Sequence, residues 1–274
     1  MNRTRKNPSL RVSAAVVAAG LLCLMLAGGC AKKVTTSVGD EPYVPTGDQF
    51  IDHTLADGES LAQVADNYYG DPALAERIAR DNKMSDPDLA VPGSLLRLWF
   101  DEDEWKSARQ RSAALVPYNK GVDLLGKERL AEAEKQFRVA METAPDLVAA
   151  KYNLALVLLK RGKSEQALVL LEELAVLRPG DIDFLFAGGN ALFQSTRFDD
   201  AAVRFQAALD IDPQFQRAAF GLARSLQEGQ HPEQAIAAWQ RYLELDGTSS
   251  WAAAARRHLK TLQDEKLMPD DGDS

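Results

Sequence analysis

The side chains that most often carry metal or covalent chemistry are scarce here: three histidines and two cysteines in 274 residues. His53, His231 and His258 fall in separate stretches. None has a cysteine or an acidic neighbour at metal-ligand spacing. No nucleophile elbow, phosphate loop or paired-histidine zinc motif occurs. The acidic pairs Glu172-Glu173 and Asp199-Asp200 are adjacent on segments of helical spacing, where they read as solvated faces. This inventory points to neither catalysis nor a cofactor nor a metal. Three sets of residues suit binding instead. Cys30 closes an apolar run. Polar and apolar turn residues gather at 57–61 and 84–89. A column of aromatics and amides recurs between Tyr118 and Phe220.

The elements that must position the column form a repeat with a step of 34 residues. Ala133, Ala167, Ala201 and Ala235 share one column, and Leu124, Leu158, Leu192 and Leu226 share another. Phe137, Leu171, Phe205 and Trp239 form a third, Gly121, Ala155, Gly189 and Ala223 a fourth, and Pro145, Pro179 and Pro213 a fifth. Apolar residues three and four apart, as in Leu154, Ala155, Leu158 and Leu159, give each segment the stripe of an amphipathic helix. The small columns mark close helix crossings, and each proline stops a helix. Each unit is a pair of helices that must stack on the next to bury its apolar face. Four units are expected, at 114–147, 148–181, 182–215 and 216–247. A capping helix follows at 248–263, begun by Ser249 or Ser250. Residues 264–274 are polar and acidic, with Asp264, Glu265, Asp270, Asp271 and Asp273, and read as disordered.

These columns resemble the tetratricopeptide repeat. Gly121, Leu124, Ala133, Phe137, Ala140 and Pro145 fall where that family's pattern wants them, and Gly189, Leu192, Ala201, Phe205, Ala208 and Pro213 repeat them. Leu174, Tyr242 and Gly247 depart from it. In such arrays the first helix of each unit lines the concave face. The resemblance therefore assigns Tyr118, Tyr152, Phe186 and Phe220, with Asn119, Asn153 and Asn190 beside them, to a groove for a protein partner. Packing between neighbouring helices is the competing role for the rings. Asp183 and Ala187 stand where repeats that clamp a C-terminal carboxylate need basic residues, so no chaperone-type clamp is expected.

The N-terminal half is organised differently. Residues 1–29 carry Arg3, Arg5, Lys6 and Arg11 and no acid, followed by an uncharged run from Val12. That is the layout of a secretory signal. Loss of those residues takes the formal charge from -8 to -12. Such an acidic chain excludes nucleic acid as the natural partner and suits cationic or neutral ones. Leu26-Ala27-Gly28-Gly29-Cys30 resembles the lipobox of bacterial lipoproteins, with Leu26 one step earlier than usual. The alternatives are a plain signal peptide or an uncleaved membrane helix. The resemblance implies a lipid on Cys30 that holds the chain on a membrane. Ala31 in place of Asp implies the outer membrane, facing the periplasm. Residues 30–49 read as a tether of Thr, Ser, Gly and Pro, with a reach of at most about 65 Å.

Residues 50–100 read as strand, helix, helix, strand. The strands are Ile51–Leu55 and Leu95–Phe100, and Ser60 caps the first helix. The Asp57-Gly58-Glu59-Ser60-Leu61 turn, Tyr69-Gly70-Asp71-Pro72, Asn82 and Val91-Pro92-Gly93 resemble the LysM domain. Glu59 stands where Asp is frequent, and Asp86 and Asp88 where Asn is frequent. The resemblance implies binding of glycans that contain N-acetylglucosamine, peptidoglycan among them, by Gly58, Glu59, Ser60, Leu61, Met84, Ser85, Asp86 and Leu89. Residues 101–113, acidic at the start and basic at the end, read as a short helical connector.

The fold expected is therefore mainly α: a small βααβ module followed by a helical solenoid. The function expected is that of a non-enzymatic adaptor of the cell envelope. The alternative is a self-associating spacer whose N-terminal module makes protein contacts.

Overall fold

The computed structural model describes residues 49–267. The lipobox with Cys30, the tether up to residue 48 and the tail from residue 268 lie outside them.

Strand β1 (Gln49–Thr54) pairs antiparallel with β2 (Leu95–Phe100), Phe50 opposite Trp99 and His53 opposite Leu96. Between them lie α1 (Leu61–Tyr69), a 3-10 turn at Pro72–Leu74, α2 (Ala75–Asp81) and a second 3-10 turn at Pro87–Leu89. Ser60 caps α1 and shares a reciprocal capping box with Gln63. Gly70 ends α1 in the left-handed region, at φ 79°.

The solenoid is built of α3 (Glu102–Gly126), α4 (Leu130–Thr143), α5 (Val148–Lys160), α6 (Ser164–Leu177), α7 (Ile182–Gln194), α8 (Phe198–Ile211), α9 (Gln216–Glu228), α10 (Pro232–Leu245) and α11 (Ser250–Leu267). Helices α3 to α10 form the four expected pairs. Ser249 Oγ accepts from the backbone N–H groups of Trp251 and Ala252 at 3.1 and 3.2 Å, which settles the start of α11.

Two sequence expectations need correction. The connector 101–113 and the first repeat helix are one continuous α3 of 25 residues, with Pro117 inside it. A capping box between Asp101 and Glu104 starts the helix early. Pro117 deprives only the carbonyl of Ala113, an exposed residue, so that acceptor stays within reach of solvent. The second correction concerns 264–274: α11 runs on to Leu267. Asp264 is followed by Glu, Lys and Leu, which are good helix formers at the end of an established helix.

Nor is the N-terminal module separate. One hydrophobic core runs from Leu55, Leu61, Val64 and Tyr68 through Leu115 and Phe137 to Ala218, and a smaller one surrounds Trp239. Helix α3 joins module and solenoid. Glu104 takes both guanidinium nitrogens of Arg77, at 2.7 and 3.0 Å, and Trp105 packs on Phe100. Helix α1 lies against α3 and α5. Arg178 pairs with Asp66, and Arg111 reaches from the Tyr68 carbonyl, at 3.1 Å, to Asp146.

The turn inside each unit shows a column that side-chain chemistry did not reveal. Glu128, Gly162, Thr196 and Gln230, again 34 apart, all have positive φ: 57, 71, 58 and 61°. Only the second unit supplies glycine. Thr196 is β-branched, so its left-handed backbone is the most strained of the four. Thr196→Gly is expected to raise stability by about 0.5–1 kcal/mol, the strain relieved less the entropy glycine costs. A higher urea midpoint would register it, and an unchanged or lower one would refute it.

Candidate functional site

The two loops expected to hold a glycan lie side by side. The Leu55 N–H donates to the Ser94 carbonyl at 2.9 Å, the Gly93 N–H donates to the Leu55 carbonyl at 2.8 Å, and α1 packs on the turn Pro87–Leu89. Gly58, Ser60, Ser85, Asp86 and Leu89 are exposed, and Met84 is half-buried on the core. Asp86 is committed to its own turn, accepting from Asp88 N–H at 2.9 Å. Leu89, Val91 and Leu95 add an exposed aliphatic surface beside these loops.

Glu59 and Leu61 belong to the interior and not to the loop surface. Leu61 is 1% exposed because it opens the buried face of α1. The Glu59 carboxylate turns inward to His53 Nε2 at 3.0 Å and to the Ala56 N–H at 2.9 Å. The Tyr68 hydroxyl meets the other ring nitrogen of His53 at 3.3 Å. Burial, with Glu59 nearby, pushes the Tyr68 phenol well above its ordinary range. This network of three side chains pins the loop 55–60 to β1 and α1. Its members sit six and fifteen residues apart across a turn, a spacing that carries no sequence signal. With Glu59 turned inward, its charge is withheld from the exposed loop surface.

The other histidines have structural partners. His231 Nε2 meets Asp199 at 2.7 Å, and His258 stacks on Trp239 at 5.0 Å between centroids. Among the described residues no group of three or more His, Cys, Asp or Glu stands ready for a metal ion, and no helix is long and apolar enough to cross a membrane.

The aromatic column divides in two. Tyr118 is 4% exposed, rests on Phe137 and accepts a hydrogen bond from Asn153 Nδ2 at 3.2 Å. Burial is the largest cause of its raised pKa, and the charges of Glu59 and Asp66 add to it; helix α1 of the N-terminal module packs on α3 and α5, which carry Tyr118 and Asn153. Tyr118 and Asn153 are therefore packing residues, not groove residues. Asn119 is half-buried on the same helix, and Tyr152 packs on Phe184 with its hydroxyl buried and unpaired.

Beyond Tyr152 the concave side opens into a cleft of about 540 Å³ between α7, α9 and the start of α11. Phe186, Asn190 and Phe220 line it as expected. Phe186 is mostly buried, between Phe205 and Phe215. Phe220 meets Trp239, Tyr242 and Trp251 edge to face. Sequence reasoning missed Phe193, Trp251, Arg217 and Arg224. The arginines stand one step of 34 beyond Asp183 and Asn190, so the column analysis held the signal. Arg217 lies over Phe186 and Phe215, at 5.2 and 5.0 Å, and Arg224 over Phe193 at 4.6 Å. Burial lowers the Arg224 pKa and raises that of Asp183, on which neighbouring Asp181 acts in the same direction. Asp246, at the rim, is held down to about 2, chiefly by the bond from Ser249.

Residues 118–182 and 192–259 match two models of the tetratricopeptide repeat. The solenoid is thus built of tetratricopeptide repeats, a fold that suggests a scaffold for protein–protein interaction. Solved structures share it. MamA 41-end from Desulfovibrio magneticus RS-1 is 19% identical with a TM-score of 0.53, over 56% of this chain and 85% of that one. A double mutant of MamA RS-1 is 20% identical with a TM-score of 0.53, over 58% and 85%. At such identities the likeness is one of fold. An uncharacterized protein of Deinococcus radiodurans is 44% identical over 46 residues, 17% of this chain and 18% of that protein. The match spans less than a fifth of that relative's length.

Proposed function

We propose that the protein is a periplasmic adaptor, anchored in the outer membrane by a lipid on Cys30. In this reading the loops of its N-terminal module hold peptidoglycan, and the concave cleft holds a protein partner. The observation that carries it is the open aromatic cleft over the third and fourth units, on a chain whose LysM-like loops remain exposed at the other end. Leu89, Val91 and Leu95 suit the apolar faces of sugar rings, and Gly58, Ser60 and Ser85 suit N-acetyl groups. No chemistry is assigned to the protein itself.

The test uses the whole chain, because module and solenoid share a core. Purified protein with Cys30→Ser is centrifuged with isolated sacculi. It is expected in the pellet, and Leu89→Asp is expected to leave most of it in the supernatant. Wild-type protein that stays in the supernatant would remove peptidoglycan from this reading. Release of muropeptides would overturn the non-enzymatic assignment.

A second reading, a self-associating spacer, is favoured by a different surface. Val169, Val176, Leu177, Val203 and Ile211 are more than half exposed on the outer helices α6 and α8. Val169 with Val203 and Leu177 with Ile211 again keep the 34-residue step. Sedimentation velocity discriminates: a dimer dispersed by Val176→Glu with Val203→Glu supports the spacer, and a monomer excludes it.

A further inference from the structure

The chemistry of the partner is written in the two cleft arginines. The protein as a whole is acidic, with a formal charge of -8. Most of its described arginines are bound to carboxylates, as Arg77 is to Glu104 and Arg178 to Asp66. Arg217 and Arg224 are exceptions. Both stand over aromatic rings inside the cleft, and neither forms an ion pair or side-chain hydrogen bond. Asp183 interacts with Arg217 and Glu228 with Arg224, each only through space. Asp246 is taken up by Tyr242, Thr248 and Ser249. The guanidinium edges are left with donors to spare, in a place where desolvation makes a charge-assisted bond strong. One more donor lines the cleft: Asn190 Nδ2 is buried without a partner.

We propose that the cleft receives a partner segment in which apolar side chains alternate with carboxylates, the apolar ones seated among Phe193, Phe220 and Trp251 and the acids meeting Arg217 and Arg224. The proposal rests on the reading of the cleft as a partner site and specifies what enters it. The arginines are seven residues apart on α9, about 10 Å along the axis. In an extended chain, side chains on one face stand two or four residues apart, about 7 or 13 Å, so acids at i and i+2 or i+4 come within reach of both long arginine side chains. Asn190 then bonds a main-chain carbonyl, which adds affinity without sequence preference.

The test selects 12-residue peptides from a random phage-displayed library on the full-length protein. Circular dichroism melts confirm that each variant is folded. Enriched peptides are expected to pair aromatic or aliphatic residues with Asp or Glu. Their affinity is expected to fall at least tenfold in Arg217→Gln with Arg224→Gln, to recover partly in the double lysine variant, and to weaken with salt. Peptides displaced by Gln194→Trp, which fills the cleft, but without acidic bias and indifferent to the arginine variants would overturn this inference and leave the partner cleft standing. Peptides indifferent to Gln194→Trp, or no enrichment at all, would overturn both. A chain ending at Leu267 that binds the same peptides tenfold more tightly would assign the cleft to the chain's own acidic residues 268–274, against a partner in trans.

Discussion

Gly189→Ala is expected to lower the unfolding free energy by about 2 kcal/mol, while Gly188→Ala, one residue earlier, raises it by about 0.5–1 kcal/mol. Both glycines lie inside α7, where alanine is intrinsically the better residue. They differ in what a methyl group would meet. At Gly188 nothing lies within 4 Å. At Gly189 the methyl carbon would stand 2.6 Å from Phe205 Cε1 and 2.8 Å from Cδ1. The ring cannot retreat, because Gly221 approaches it from the next unit and a methyl there would come within 2.8 Å. Phe205 is thus held between glycines of two successive first helices, and it is 1% exposed. The first unit repeats half of this arrangement with Gly121 and Phe137. The second unit holds Ala155 and Leu171 in the same columns. Accordingly, Gly189→Ala combined with Phe205→Leu should lose at least about 1 kcal/mol less than the sum of the single changes. Urea unfolding of the four variants checks this; simple additivity, or equal effects at 188 and 189, would remove the clamp from the account.

That clamp shows how much the sequence revealed. The 34-residue step gave the helix pairs, their order and the small-against-large crossing, because each column repeats one packing contact. Capping chemistry placed the starts of α1 and α11. Contacts that occur once escaped. The His53–Glu59–Tyr68 network bonds residues with no periodic relation, so Glu59 was assigned to the loop surface. The continuity of α3 through Pro117 escaped because the cost of that proline depends on whether water reaches Ala113, which a sequence does not state. The aromatic column was read as one groove, since its four members are equivalent by spacing. They are unequal in space, because α1 packs on α3 and α5, the helices that carry Tyr118 and Asn153. Arg217 and Arg224 escaped because their columns hold Asp183 and Asn190 one unit earlier, and a repeat analysis favours positions that stay the same.

The same logic predicts an effect at a column that breaks its own rule. Glu134 stands in the column of Leu168, Ala202 and Ile236, and it is 7% exposed. It is tolerated because three cations surround it: Arg138 at 2.9 Å, Lys163 at 3.0 Å, and Arg161. Arg161 and Lys163 flank the turn between α5 and α6, so the carboxylate bolts the first unit to the second. Burial alone would raise its pKa; the bonds from Arg138 and Lys163 and the charge of Arg161 outweigh this and hold it below the ordinary range. A depressed folded pKa means that the stabilisation is complete above the unfolded value, near 4.5, and is lost as pH falls through the folded one. Glu134→Gln should therefore cost about 2 kcal/mol at neutral pH, a charge-assisted contribution discounted because its partners are partly exposed. The gap between the two proteins should stay constant from pH 7 to about 5.5 and close as pH falls below 4.5. A gap that widens in acid would reverse the sign assigned to the bolt. No gap at pH 7 would leave Glu134 as a polar residue that its cations merely tolerate.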